Sequence, residues 1–331
     1  MRADGHVGTM RLAELYAPVT AELARSQCIL ADELISDQAF ISDLCRHVGQ
    51  FHGKLLRPAL LLLAGRVCGT LRPEHAVLAA VVELVHIATL VHDDVLDEAD
   101  IRRRAATVNR LWGNERAVLM GDFLYSHAFH LCTSVDAQFT ARLIGQTAIT
   151  VCEGEMMQVA NRGNHELGEA EYLDIISRKT AALVETCCHL GARYAGADED
   201  TIQRLRTFGS GLGMAFQIID DLLDLTGDES EVGKSLGRDV YEGELTLPLI
   251  HFLRSAPDGA QTRLRALLQR ETPQCCREVA SLLRSSDSIA YARTVAQEHI
   301  ESARRALAEL PASAARDSLE AMADFVVARR Q

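Results

Sequence analysis

Proline is scarce in this sequence, at 7 of 331 residues, and no stretch is rich in proline, serine and glycine together. No low-complexity tract or long block of like charge marks a linker between domains. Alanine and leucine are plentiful, and valine and isoleucine fall mostly within segments of helical periodicity. We therefore expect residues 1–331 to form a single all-α domain with a large core.

Basic charge and long apolar runs are also in short supply. The net charge is −12, which disfavours non-specific nucleic-acid binding. The longest apolar candidate for a membrane span, residues 76–91, is interrupted by Glu83 and His86. The N-terminus lacks the apolar core of a signal peptide. We expect a protein that binds no nucleic acid and is not integral to a membrane.

The nine cysteines show no CxxC spacing. Several lie in apolar runs and are interpreted as small buried hydrophobic residues. The adjacent pairs 187–188 and 275–276 have poor geometry for a structural disulfide. This usage fits a reducing, cytoplasmic location.

Apolar residues recur at helical spacing over most of the chain. The predicted helices cover residues 10–31, 58–69, 74–98, 115–134, 136–161, 169–196, 200–225, 288–308 and 313–329. The weakest periodicity lies at 226–243, a charged and glycine-rich stretch. A loop of that length in a compact domain is usually functional or disordered. We interpret it as a lid that carries Lys234 inward.

Two acidic motifs of the form DDxxD are the most informative feature. They occupy residues 93–97 and 220–224, each at the end of an apolar, helix-like stretch. Helical spacing places Asp93 over Asp97, and Asp220 over Asp224. Carboxylates this close raise each other's pKa unless cations join them. Two such clusters facing one another would form an all-oxygen site that suits Mg²⁺ and substrate phosphate.

A single motif of this kind could equally be a solvated helix end, because acidic residues are usually exposed. Two copies, both preceded by apolar runs, favour a functional site. Basic residues also follow each motif: Arg102 to Arg104 after the first, and Lys234 and Arg238 after the second. Acidic clusters beside cations are typical of a metal–diphosphate site.

Seven blocks, in order, resemble the trans-isoprenyl diphosphate synthases, or polyprenyl synthetases. They are GKLLRP (53–58), VELVHIATLVHDDVLDEADIRRRAATVN (82–109), GDFLYSHA (121–128), CEGEMMQ (152–158), ISRKTAAL (176–183), FQIIDDLLDLTGDESEVGKSLGRD (216–239) and EGELTLPLI (242–250). The resemblance implies the isoprenoid synthase helical bundle around a deep central cavity, usually as a homodimer. It also implies metal-dependent 1'-4 condensation of isopentenyl diphosphate with an allylic diphosphate, with farnesyl or geranylgeranyl diphosphate as the expected primer.

The resemblance also assigns roles by position. Mg²⁺, expected as three ions with substrate bound, would be held by Asp93, Asp97 and Asp220, while Asp94, Asp221 and Asp224 orient waters and ligands. The matching allylic-diphosphate contacts are Arg102, Lys179 and Lys234. Thr180 and Gln217 match polar groups beside the nascent cation. The matching isopentenyl diphosphate site is Gly53, Lys54, Arg57, His86 and Arg103.

The chain departs from the family pattern in three places. Phe51-His52 and Leu55 replace a usual glycine and a usual basic residue, and residues 104–106 replace Gly-Lys-Pro. Glu244 stands where lysine is common, which removes a possible diphosphate contact and is expected to weaken diphosphate binding. None of these changes affects the aspartates, so we still expect activity.

Product length is predicted from the residues four and five positions before the first motif. In the family, a bulky aromatic there stops growth early. Thr89 and Ala88 are small, so we expect an all-trans product of about C30 to C50, such as octaprenyl diphosphate, of the quinone side-chain type. The alternative is that these small residues merely allow close helix packing.

Other functions also remain open. Glu83-x-x-His86 matches the spacing of ferritin-like di-iron sites, but those need two copies and only one is present. A class I terpene cyclase, a short-chain synthase and a non-catalytic subunit of a heteromeric synthase are further alternatives. Cyclases need no isopentenyl diphosphate site, and non-catalytic subunits usually lose aspartates that are all retained here.

Overall fold

A computed structural model describes residues 12–51, 53–102, 105–226, 237–270 and 272–329. These residues are almost entirely helical. The α-helices, in chain order, are α1 (Leu12–Leu15), α2 (Thr20–Glu33), α3 (Ala39–Val48), α4 (Leu56–Cys68), α5 (Pro73–Leu96), α6 (Val108–Trp112), α7 (Asn114–Cys132), α8 (Ala137–Ala160), α9 (Glu169–Ile176), α10 (Ala182–Tyr194), α11 (Glu199–Thr226), α12 (Arg238–Tyr241), α13 (Leu247–Ser255), α14 (Asp258–Leu268), α15 (Pro273–Arg284), α16 (Ser288–Ala308) and α17 (Ala314–Ala328). Short 3₁₀ turns lie at Ala17–Val19 and Gly49–Phe51, and a π-helical turn lies at Ser177–Ala181.

Across the described ranges the strands form one small antiparallel pair, β1 (Ile101–Arg102) and β2 (Ala105–Ala106). Ile101 pairs with Ala106, and Arg102 with Ala105. The pair follows the first acidic motif directly. It therefore turns the chain back beside the end of α5, where Thr107 donates its hydroxyl hydrogen to the Ala99 carbonyl.

Helix α4 is buried on all sides rather than along one stripe. Leu60, Leu61, Leu62 and Leu63 are four consecutive leucines, each with no solvent exposure. A helix that is apolar all round belongs inside a multilayer core. Burying a leucine side chain contributes roughly 1.5–3 kcal/mol relative to leaving it exposed. α4 packs against α5 and α10, so it supports the helix that carries the first acidic motif.

Helix α5 begins at Pro73, whose missing N–H is harmless in the first turn. Among the described helices it alone is long and apolar enough to cross a membrane, and 72% of that apolar window is buried inside the protein. A buried helix at the centre of a helical core has the same composition. α5 packs against α2, α4 and α7, and its last turn carries Asp93 and Asp94.

Helix α11 approaches the π-helical turn closely at Gly213. A Cβ at this position would lie 2.6 Å from Cα of Ala181, too close for any side chain. Glycine therefore allows the two backbones to meet here. The contact sets the position of Lys179 and Thr180, which lie in that turn, relative to the second acidic motif about two to three turns further along α11.

The long predicted helices are confirmed to within two residues for 74–98, 115–134, 136–161, 200–225, 288–308 and 313–329. Two predicted helices are wrong as continuous elements. The 10–31 prediction is interrupted at the 3₁₀ turn that contains Pro18, because proline cannot continue a helical hydrogen-bond ladder. The 169–196 prediction is interrupted by the π-helical turn.

Several helices were not predicted: α3, α6 and the run from α12 to α15. These are short, and tertiary packing stabilises them more than their own periodicity does. The predicted loop at 226–243 contains α12 near its end. Residues 227–236 of that segment, which include Lys234 and most of the proposed lid, lie outside the described residues.

Candidate active site

The first acidic motif closes α5. Asp93 and Asp94 lie in its last turn, and Asp97 follows it, with its backbone N–H bonded to the Asp93 carbonyl at 2.9 Å. No basic residue lies in that last turn. Carboxylates at a helix C-terminus oppose the helix dipole, so this placement costs stability locally. A sequence that accepts such a cost in a buried position indicates a functional constraint.

The second acidic motif lies near the end of α11 and has the same electrostatic conflict. Asp220, Asp221 and Asp224 fall in the last two turns, and again no basic residue shares the last turn. Asp221 is buried, whereas Asp220 is half exposed. The main-chain N–H of Asp239 donates to Oδ2 of Asp224 at 3.1 Å, which connects α12 to the motif.

One cavity of about 910 Å³ receives side chains from both motifs. Asp97 of the first motif and all three aspartates of the second line it. The described lining contains nine carboxylates, on Asp97, Glu98, Asp100, Asp220, Asp221, Asp224, Asp239, Glu242 and Glu244, but only three cationic side chains, on Lys179, Arg238 and Arg329. Such an excess of negative charge repels a bare anionic ligand unless cations accompany it.

Asp97 is held by two arginines. Nη2 of Arg162 lies 2.8 Å from its Oδ1, and Nη2 of Arg238 lies 3.2 Å from its Oδ2. Arg162 also contacts Oε1 of Glu244 at 3.3 Å, and Arg238 contacts Glu242. The first-motif aspartate that lines the cavity is therefore already paired with cationic side chains from distant parts of the chain.

Asp221 lies at the end of a chain of hydrogen bonds. Thr180 donates its hydroxyl hydrogen to Oε1 of Gln217 at 2.7 Å, and Nε2 of Gln217 donates to Oδ1 of Asp221 at 2.7 Å. Tyr172 donates to Oδ2 at 2.6 Å. Burial nevertheless raises the pKa of Asp221 to about 7, while the two hydrogen bonds oppose that shift. The network fixes the orientation of the central carboxylate of the motif.

Lys179 links α8 to the same region. Its Nζ lies 2.8 Å from Oε2 of Glu155. Asp93 is close enough for its charge to interact with both, and burial raises the pKa of Asp93 to about 7, opposed by the charge of Lys179. Lys179 lies in the π-helical turn, and such turns often occur at functional sites.

Asp94 does not line the cavity. It is almost fully buried, and its Oδ1 accepts a 2.7 Å bond from Nε of Arg102. Burial raises the pKa of Asp94, and the Arg102 charge opposes this. Arg102 was predicted to contact the allylic diphosphate; in this structure it pairs with Asp94, and neither residue lines the cavity.

Asp220 is paired with Arg329 of the C-terminal segment. The Nη2–Oδ1 distance is 3.0 Å, and the same guanidinium lies 4.5 Å from the ring centroid of Phe216. The contact spans 109 positions of sequence. It brings the end of the chain to the cavity opposite the first motif.

The residues predicted to hold isopentenyl diphosphate lie apart from this cavity, and none of those described lines it. Nη1 of Arg57 lies 3.1 Å from Nε2 of His86, and Nε of Arg57 is buried without a hydrogen-bond partner. Lys54 is exposed, with its Nζ 5.3 Å from the ring centroid of Phe325, and Gly53 is half-buried beside it. Arg103 lies outside the described residues, as does Lys234.

The two residues predicted to set product length differ in their surroundings. Ala88 is fully buried, and Thr89 is half-buried, with its hydroxyl donating to the His86 carbonyl at 2.8 Å. Neither lines the 910 Å³ cavity. Their role in product length stays a prediction, and for Ala88 the packing alternative matches its burial.

The carboxylates around the cavity fit divalent cations. All their donors are oxygen. Outside the lining, Asp94 and Glu155, which pair with Arg102 and Lys179, each have one buried oxygen without a hydrogen-bond partner. Within the described residues, however, no three acidic, histidine or cysteine side chains are already gathered around one metal position. That arrangement suits Mg²⁺, which typically uses one or two carboxylates together with substrate phosphate. Direct coordination by Asp93, Asp97 and Asp220 remains a prediction.

Four residues at the site were missed in the sequence: Glu155, Arg162, Tyr172 and Arg329. Arg162 lies two positions beyond the end of α8, outside the predicted helix, so helical spacing gave no signal for it. Tyr172 lies seven positions before Lys179, but the π-helical turn between them breaks the regular spacing. The sequence contained no local signal for Arg329, whose contact with Asp220 is purely tertiary.

Known proteins with this sequence pattern and fold are numerous. The polyprenyl synthetase family model matches residues 38–285. Octaprenyl diphosphate synthase of Escherichia coli is 34% identical over 97% of this chain and 99% of its own length. A short chain isoprenyl diphosphate synthase of Methanothermobacter thermautotrophicus is 32% identical over 93% of this chain and 98% of its own.

A solved structure gives the same result. The polyprenyl synthase of Caulobacter crescentus, complexed with calcium and isoprenyl diphosphate, superposes with a TM-score of 0.91 at 34% identity, covering 98% of this chain and 99% of that one. The matched family region contains both acidic motifs and the π-helical turn between them. On sequence and on fold alike, this chain belongs to the polyprenyl synthetase family.

Proposed function

We propose that this chain is a Mg²⁺-dependent trans-prenyltransferase that condenses isopentenyl diphosphate with an allylic diphosphate. The product would be an all-trans polyprenyl diphosphate of about C30 to C50, such as octaprenyl diphosphate, used for a quinone side chain. The observation that carries the proposal is the single cavity shared by both acidic motifs, with its excess of carboxylates. Family membership supports it, since the relatives named above are isoprenyl diphosphate synthases.

The proposed reaction begins when the C1–O bond of the allylic diphosphate breaks, leaving an allylic cation and diphosphate. The double bond of isopentenyl diphosphate then forms the new carbon–carbon bond through C4, and loss of a proton from C2 restores a double bond. Mg²⁺, as three ions with substrate bound, would neutralise the leaving diphosphate when held by Asp93, Asp97 and Asp220. Each cycle lengthens the allylic diphosphate by one five-carbon unit.

The chain's own residues would prepare this chemistry. Lys179 supplies positive charge at the cavity, and Asp94, Asp221 and Asp224 orient the acidic site. Thr180 and Gln217, which are hydrogen-bonded to each other, would present oxygen dipoles that stabilise a nascent cation. Arg57 and His86 would hold the second diphosphate at a separate position, together with Gly53, Lys54 and Arg103. Lys234 and Arg102 would complete the allylic-diphosphate contacts.

Family membership also supports proposals about domain organisation, oligomeric state and cellular location. We propose that the full 331 residues form one catalytic domain, that two copies form a homodimer, and that the enzyme acts in the cytoplasm. The exposed apolar side chains on α7 and α8, Leu119, Ile149 and Met156, support a partner surface there. Farnesyl or geranylgeranyl diphosphate would be the primer.

The test is incubation of the purified protein with Mg²⁺, labelled isopentenyl diphosphate and, in separate reactions, geranylgeranyl diphosphate or a shorter allylic diphosphate. Formation of a long all-trans diphosphate would support the proposal. Product of farnesyl or geranylgeranyl length, from shorter primers only, would indicate a short-chain synthase. A cyclic hydrocarbon made without isopentenyl diphosphate would indicate a cyclase. No turnover until a second subunit is added would indicate a subunit of a heteromeric enzyme.

A further inference from the structure

Arg162 lies just beyond the end of α8 and connects two acidic residues that line the cavity. Nη2 is 2.8 Å from Oδ1 of Asp97 and 3.3 Å from Oε1 of Glu244, and Nε is also 3.3 Å from that Glu244 oxygen. The arginine side chain is 25% exposed. Asp97 follows α5 and Glu244 follows α12, so this guanidinium connects the segments that follow these two helices.

Arg162 contacts Asp97 through one nitrogen but Glu244 through two. Glu244 accepts a further hydrogen bond from Nε2 of Gln158, and Gln158 also lines the cavity. Asp97, by contrast, has a second cation at hand, since Arg238 contacts its other oxygen at 3.2 Å. If the contact between Asp97 and Arg162 broke, Asp97 would still be paired with Arg238. Glu244 would still hold the guanidinium of Arg162 near the cavity.

A diphosphate that enters with divalent cations would compete with Asp97 for the guanidinium of Arg162. It carries up to about three negative charges, and guanidinium binds phosphate oxygens through two parallel hydrogen bonds. Asp97, relieved of Arg162, would be available to a cation. Both exchanges replace one ion pair by another, so neither leaves a buried charge without a partner.

We propose that Arg162 is a diphosphate-binding residue that exchanges Asp97 for the allylic diphosphate when substrate binds, with Glu244 as the fixed partner that positions it. The inference rests on the function proposed above. It also changes the interpretation of Glu244. Where the sequence suggested a weakened diphosphate site, the structure supplies a replacement cation, 82 positions away in sequence, that Glu244 itself holds.

The experiment is isothermal titration calorimetry of the ligand-free full chain. It uses Mg²⁺ alone, and then geranylgeranyl thiodiphosphate, an allylic analogue that ionises very slowly, at saturating Mg²⁺. Arg162→Met should bind the analogue ~10- to 100-fold more weakly, the cost of one charge-assisted contact. The same variant should bind Mg²⁺ alone more tightly, because Asp97 loses a competing cation. Arg265→Met is the matched control, since Arg265 forms a 2.6 Å pair with Glu166 and does not line the cavity.

Glu244→Gln gives a test of opposite sign. It keeps a side-chain oxygen that can still accept from Arg162, so Arg162 stays positioned, but it removes the carboxylate charge that offsets the charge of the guanidinium. The analogue should therefore bind several-fold more tightly, roughly 3- to 10-fold. That gain should vanish in the Arg162→Met background. A purely structural role would predict weaker binding in both single variants.

The outcomes separate the two proposals. Wild type that fails to bind the analogue would contradict the proposed function itself. Wild type that binds, with Arg162→Met equal to it, would overturn only the role of Arg162. Arg162→Met that weakens Mg²⁺ and analogue alike, or Glu244→Gln that weakens the analogue, would also overturn it. If Arg162→Met does not fold, the sign of the Glu244→Gln effect decides alone.

Discussion

The hydroxyl of Tyr172 donates a 2.6 Å hydrogen bond to Oδ2 of Asp221, and both groups are buried. Tyr172 belongs to α9, and Asp221 is the middle aspartate of the second acidic motif on α11. Burial raises the pKa of Asp221 to about 7, and the tyrosine hydrogen bond holds it below the value that burial alone would give. The tyrosine hydrogen bond therefore favours the ionised form of this carboxylate.

Tyr172→Phe should move the acidic limb of the pH–rate profile to higher pH. Removing the donor raises the pKa of Asp221 further, and the site needs its carboxylates ionised, so activity is lost below that pKa and recovers above it. We expect a loss near pH 7 and near-normal kcat/KM at alkaline pH. Profiles from pH 6 to 9 at saturating Mg²⁺ measure this.

Tyr291→Phe is the control for that substitution, because Tyr291 likewise donates to a carboxylate, that of Glu169, at 2.8 Å, and does not line the cavity. Its profile should match wild type. A Tyr172→Phe profile that is lowered equally at every pH would indicate a packing effect and contradict the account.

Arg57 provides a test of two separate anion sites. Arg57→Ala should raise the apparent KM for isopentenyl diphosphate far more than that for the allylic substrate, because Arg57 pairs with His86 away from the acidic cavity. One lost charge-assisted contact corresponds to roughly 10-fold or more in KM. Steady-state kinetics with each substrate varied in turn gives both values, and equal effects would mean that the sites are not separate.

Product length can be tested at Thr89. Thr89→Phe should shift products toward farnesyl and geranylgeranyl diphosphate, because an aromatic ring one turn before Asp93 would block the growing chain. Thr89 has some exposed surface, whereas Ala88 is fully buried. Ala88→Phe should shift products similarly but lose about 1–3 kcal/mol of stability through overpacking. Chromatography of dephosphorylated products, beside thermal melts, measures both effects.

Long products from Thr89→Phe would contradict a tunnel along this face of α5. So would a wild-type enzyme that already stops at farnesyl or geranylgeranyl diphosphate. Either result would leave close helix packing as the reason for the small residues.

The partner surface is tested through Leu119 and Met156, which are 65% and 63% exposed on α7 and α8. Ile149 lies seven positions before Met156 and so shares its helical face. The wild type should show twice the 36.3 kDa chain mass by light scattering at micromolar concentration. Leu119→Glu combined with Met156→Glu should give a monomer, while Thr294→Glu, at an exposed position of α16, should not. A monomeric wild type would contradict the dimer.

The helical fold and the aspartates could be predicted because their signals are local. Asp93 and Asp97 are brought together by helical spacing alone, and the apolar run before them identifies a buried helix. The same holds for Asp220 and Asp224. Each motif needs only its own helix to take shape, so the pattern of a few residues is enough.

The partners of those aspartates could not be predicted in the same way. Asp97 meets Arg162 across 65 positions, and Asp220 meets Arg329 across 109. These contacts depend on how helices pack, which no short pattern specifies. The π-helical turn at Ser177–Ala181 adds a further difficulty, because it shifts Lys179 and Thr180 away from the positions that regular helical spacing would give them.

The central claim is that the two acidic motifs form one cation-dependent diphosphate site. Its most direct test is a double-mutant cycle on turnover with Asp93→Ala, Asp220→Ala and the double variant, at saturating Mg²⁺. Each single change should lower kcat by ~10²-fold or more, through lost stabilisation of the leaving diphosphate. Because both serve one site, the double variant should lose much less than the product of the two single effects. Near-normal turnover in either single variant, or two losses that multiply fully, would contradict the claim.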